Sequence, residues 1–130
     1  MNPSVTQAIA EIQATFAGHQ VDVEPDPDGG AFVSVRDLHL GDQYMPSVSW
    51  VGFHITFQYP HADVYPHYCV AGLKKNGADV GVPFHKAEWK PPSGAAVSAT
   101  SISRKSNHWN AAADTAAIKL LKVLDWVRSQ

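Results

Sequence analysis

The run from Trp50 to Tyr59 alternates in character: Phe53, Ile55, Phe57 and Tyr59 fall on one parity, and His54, Thr56 and Gln58 on the other. Side chains on a strand point to opposite faces in turn, so this pattern predicts a strand with one core face and one partly wet face. A strand of that kind cannot stand alone. It needs paired neighbours and a cover for its apolar side. Pro60 and Pro66 then end the sheet, because proline has no N–H to give to a ladder, and they leave an extended loop from Tyr59 to Pro66.

The neighbours are short β-prone runs. Gln20 to Val23 and Ala31 to Val35 flank Glu24-Pro25-Asp26-Pro27-Asp28-Gly29-Gly30, which reads as a hairpin with a wide turn. Asp26 and Asp28 do not make a calcium loop, which needs a longer ligand ladder ending in glutamate. Tyr68 to Leu73 is another strand candidate, followed by an Asn76-Gly77 turn. The cover is helical. Val5, Ile9, Ile12 and Phe16 recur at helical spacing, with Ser4 and Gln7 placed as a capping box and Gly18 placed as a terminator. A second helix is predicted from about Asn110 to Arg128, with Ala113, Ala117, Leu120, Leu124 and Val127 as its stripe, Leu121 widening it, and Asn110 as its cap. Between Ala78 and Asn107 periodicity fades, and Pro83, Pro91, Pro92 and Gly94 interrupt the chain, so an irregular crossing is expected there. Strands that follow one another without intervening helices argue for one α+β domain over 1–130: N-terminal helix, antiparallel four-stranded meander, long irregular crossing, C-terminal helix, both helices on one side.

With 45% hydrophobic residues and a formal net charge of −2, the chain is expected to fold, and nothing in its charge favours nucleic acid. No stretch approaches the roughly 20 apolar residues of a membrane span, and Met1 to Val5 lacks the basic and apolar regions of a secretion signal, so a cytoplasmic protein is expected. The one cysteine, Cys69, can form neither an internal disulfide nor a cysteine-rich zinc site.

The segment Phe53-His54-Ile55-Thr56-Phe57-Gln58-Tyr59-Pro60, followed by Tyr65-Pro66, resembles the strand and Tyr-Pro loop of the ubiquitin-conjugating E2 superfamily, which also holds RWD domains and E2 variants without catalysis. The stretch from Ser101 to Asn110, then Ala113-Asp114 and a helix, is similar to divergent bacterial E2-like proteins. The resemblance implies a UBC-like fold and a protein that carries or positions a ubiquitin-like protein delivered by an E1-like enzyme, with no cofactor. It also implies an E2-type transferase if a thiol is available. No His-Pro-Asn is present, and Gly77 to Trp89, where the family's cysteine is expected, contains none.

Cys69 would then have to be the thioester residue, with His67 or His85 as base and His108 near the last helix. A nucleophilic thiol needs exposure and a base. The other reading places Cys69 in the core between Tyr68 and Val70. A second class of function, a non-catalytic protein-binding module, would use the sheet face and the loop, with Tyr59, Tyr65, Pro66 and Trp109 as its contacts. A third, a metal-dependent enzyme, would need the loop histidines His61, His67, His85 and His108 to converge, although their spacing matches no compact zinc motif and no metal ligand is assigned.

Overall fold

Asn2 starts the chain's first helix. Its side chain accepts from the Val5 N–H at 2.9 Å, and Pro3, which has no N–H to satisfy, takes the first helical position. This cap replaces the Ser4–Gln7 box expected from sequence. The computed structural model describes residues 1–130, and α1 spans Pro3–Thr15. The predicted stripe is its buried face: Val5, Ile9 and Ile12 are buried, as is Phe16 at its C-cap. Gly18, at φ +92°, takes the left-handed turn that follows.

The strands are β1 (Val21–Pro25), β2 (Ala31–His39), β3 (Tyr44–Met45), β4 (Val48–Ile55), β5 (His67–Val70), β6 (Lys74–Lys75), β7 (Ala78–Asp79), β8 (Phe84–Trp89) and β9 (Val97–Ile102), and α2 spans Ala116–Arg128. The main sheet has six strands in the order β1-β2-β4-β5-β9-β8, with every pairing antiparallel. A second sheet, β3-β6-β7, is small. In it Asn76 (φ +51°) and Gly77 (φ +82°) turn the chain between β6 and β7, as the Asn-Gly pair predicts. The β1–β2 hairpin closes over Asp26, whose carboxylate accepts from the Gly30 N–H at 2.9 Å and the Asp28 N–H at 2.8 Å.

Three further features differ from the sequence expectation. The meander is four strands of a six-stranded sheet, because the stretch expected to be irregular holds the β8–β9 hairpin in register from Phe84↔Ile102 to Trp89↔Val97. The alternating strand stops at Ile55. Phe57 is exposed, and Tyr59 is buried from a turn in which its N–H donates to the Thr56 carbonyl. The last helix begins at Ala116, capped by Thr115. Asn110 is drawn into a separate turn, where its N–H donates to Asp114 Oδ2 at 2.7 Å and its Oδ1 accepts from Ala112 N–H at 2.9 Å. An Asx turn of this kind competes with helix initiation.

Both helices touch each other and share one apolar cluster with the inner face of the main sheet, to which Val33, Val35, Val51, Phe53, Ile55 and Cys69 contribute. Tyr44 locks the end of α2 by donating to the Val127 carbonyl at 2.8 Å. Neither helix is long and apolar enough to cross a membrane.

Candidate functional site

Cys69 sits in the middle of β5 with its side chain on the covered face. It is 0% exposed, and burial pushes the thiol up to about 12. A thiol held that high is un-ionised at neutral pH and has no path to a substrate. The expectation of an accessible thioester residue is therefore corrected: here Cys69 is a core residue. His67, two residues away and on the same covered face, is also 0% exposed. Burial is the larger cause, with the nearby Lys119 charge adding to it, of a His67 pKa lowered to about 3. Neither of its ring nitrogens has a protein partner, and its ring packs 5.2 Å from that of Phe53. His85 lies on the other side of the sheet. It pairs with Ser101, which pairs with Tyr68, while Cys69 pairs with Thr100, so Cys69 and His85 point to opposite faces. His108 is exposed in the loop before α2. Of the four residues expected to act together, only Cys69 and His67 share a face, both enclosed in the core, and no three His, Cys, Asp or Glu side chains gather closely enough to hold an ion.

The residues expected to make contacts divide in the same way. Tyr59 is buried, and its hydroxyl accepts from the Ala116 N–H at 3.2 Å, so it holds the start of α2 and is not an exposed anchor. Trp109 is half-buried and donates its indole N–H to the Pro60 carbonyl at 2.7 Å. Tyr65 is 43% exposed, beside a half-buried Pro66, with Lys105 Nζ 5.9 Å from its ring.

What the Tyr59–Pro66 loop does bring together is a buried ion pair. Lys119, on α2, donates to both oxygens of Asp63 at 3.1 Å and to Ser106 Oγ at 2.6 Å. The two side chains are only 5% and 8% exposed. Asp63 also accepts from the N–H groups of Ser106 and Val64, at 2.7 Å each. Burial alone would push Asp63 up, but the bonds from Ser106 and Lys119 outweigh it and hold the carboxyl below its usual range. Burial pulls the Lys119 ammonium down, and Asp63 offsets only part of this. The pair pins the 103–109 loop to α2. Between them lies a cleft of about 260 Å³ lined by Arg104, Lys105, Lys119, Lys122 and Asp114 among others.

The open face of the main sheet carries the other concentration of chemistry. Phe32, Trp50, Tyr68 and Trp89 gather around Gly52, with Trp89 5.3 Å from Tyr68, 5.6 Å from Phe32 and 6.0 Å from Trp50, centroid to centroid. A Cβ at Gly52 would lie 3.0 Å from the Trp89 ring and 3.1 Å from that of Trp50, so only glycine lets both indoles settle there. His54 stacks on Phe32 at 4.1 Å and reaches Asp26 at 2.6 Å, tying this face to the β1–β2 turn. Phe32, Trp50 and Tyr68 remain half-exposed. The signal was present in sequence, since Trp50 and Gly52 share the wet parity of the alternating strand, but Trp89 joins them from a stretch with no readable period.

The chain matches no protein-family model, no curated protein and no solved structure.

Proposed function

We propose that this chain is a non-catalytic protein-binding module of ubiquitin-conjugating type, positioning a ubiquitin-like protein against the open face of its main sheet. The observation that carries the reading is the aromatic cluster in which Phe32, Trp50 and Tyr68 stand half-exposed around a buried Trp89. Tryptophan and tyrosine concentrate binding energy at protein interfaces because they offer large, rigid, amphipathic area at little entropic cost. The enclosure of Cys69 argues in the same direction. Thioester carriage needs a reachable thiolate, and burial denies Cys69 both access and ionisation. The class of partner comes from the Phe53–Pro60 and Tyr65-Pro66 segments, which resemble the superfamily's strand and loop.

The test combines the chain with a ubiquitin-like protein, its E1-like enzyme and ATP. No thiol-sensitive adduct is expected. Addition of the ubiquitin-like protein alone is expected to shift the NMR signals of Trp50, Tyr68 and Trp89, and Trp50→Ala is expected to weaken that binding roughly thirtyfold, the effect of losing a hot spot of about 2 kcal/mol. An adduct that disappears in Cys69→Ala would show carriage instead. Binding that leaves the aromatic signals unmoved would remove the assignment of this face.

A further inference from the structure

The cleft between the 103–109 loop and α2 has a composition unlike the rest of the molecule. Four cations, Arg104, Lys105, Lys119 and Lys122, meet one carboxylate, Asp114, on its walls, and Asp63 beneath balances a second charge. Two positive charges are left uncompensated in a chain whose overall charge is −2. We propose that this cleft is a binding site for a doubly charged oxyanion, a phosphate either free or carried as the monoester of a small polar molecule.

The parts have distinct roles. Lys119 spends its donors on Asp63 and Ser106, so it contributes a fixed, poorly solvated positive charge and not a bond to the ligand. Partial burial makes such a charge act more strongly than one in open water. Arg104 is set in place with its guanidinium carbon 4.4 Å from the centre of the Trp126 ring, which leaves its N–H edges without a protein partner. Lys105 makes no hydrogen bond within the protein through its ammonium. Lys122 stands 3.9 Å from Asp114, too far for a hydrogen bond, and its side chain is exposed. These are the donors that suit phosphate oxygens. Size and lining narrow the ligand. Pockets for drug-sized molecules start near ~300 Å³ and are mostly apolar. This cleft holds about 260 Å³, and Val123 is its only apolar wall residue. The fit is to a compact, strongly polar anion.

The site does not depend on the partner-positioning reading, and its test involves neither Cys69 nor the aromatic face. The full chain is titrated with inorganic phosphate at pH 7.5, with chloride replaced to hold ionic strength constant, and followed by amide NMR. Saturable shifts confined to Arg104–His108 and Lys119–Val123 are expected. The variant carrying Lys105→Ala and Lys122→Ala alters two exposed side chains, so its spectrum should stay native. It is expected to bind about tenfold more weakly or worse, as loss of charge-assisted bonds implies. A parallel titration with glycerol 3-phosphate separates the sources: tighter binding assigns a phosphate monoester, and equal or weaker binding assigns the free ion. Shifts that never saturate, that chloride reproduces, or that the double variant leaves unchanged would overturn the proposal.

Discussion

Asp63→Ala is expected to lose about 3–5 kcal/mol of stability in urea unfolding at pH 7, the cost of leaving one member of a buried ion pair without its partner. The cause is specific. Lys119 is 5% exposed, and after the substitution only Ser106 Oγ would remain against its ammonium. The Ser106 and Val64 N–H groups would lose their acceptor as well. Lys119→Met should be costly for the converse reason, since it strands the carboxylate. The variant with both Asp63→Ala and Lys119→Met should cost far less than the sum of the two, because it leaves neither charge unpaired, and that non-additivity distinguishes a coupled pair from two independent contacts. A loss below about 1 kcal/mol in Asp63→Ala would mean that the pair behaves like an exposed one.

The second large effect is acid sensitivity from His67. Its folded pKa is lowered to about 3, against an ordinary value of 6.5 that the unfolded chain should retain. Above pH 6.5 the imidazole is neutral in both states and the shift has no effect. As pH falls through 6.5 the unfolded chain takes up a proton that the folded chain refuses, so stability drops by about 1.4 kcal/mol per pH unit, approaching roughly 5 kcal/mol near pH 3. The depressed pKa of Asp63 acts in the same sense but lower, where its stabilisation is lost as pH falls below the ordinary 3.8. Urea midpoints measured between pH 7 and 4 should therefore fall steeply in the parent chain. His67→Leu is expected to flatten that fall, whatever its own effect on stability at pH 7. An unchanged slope in His67→Leu would assign the acid sensitivity to other groups.

Much of the frame was legible because it rests on local rules. The stripe of Val5, Ile9, Ile12 and Phe16 faces the core, the Asn76-Gly77 turn forms, and the hairpin around Asp26 closes. The β8–β9 hairpin was hidden for a physical reason. β9 reads Val-Ser-Ala-Thr-Ser-Ile and buries small and hydroxyl side chains on both faces, so no apolar alternation marks it. Phe84 and Trp89, at the two ends of β8, are buried on opposite faces, which also breaks the period. The Asp63–Lys119 pair could not be read at all. Its partners stand 56 residues apart and meet only because the loop folds back onto α2. The sequence leaves Cys69 two outcomes, and the strand's parity decides between them by turning it to the covered side.

The packing of α1 against α2 sets an order of events in the cell. The first and last helices of this chain share one core with the inner face of the main sheet. While the chain is being synthesised, α1 and β1 to β5 can emerge and pair before Leu120, Leu124 and Val127 have been added. The apolar face that α2 will cover stays open to water for that interval. A nascent chain in this state lacks the part of its core that α2 supplies, so ribosome-bound chaperones should be able to hold it until α2 has been made.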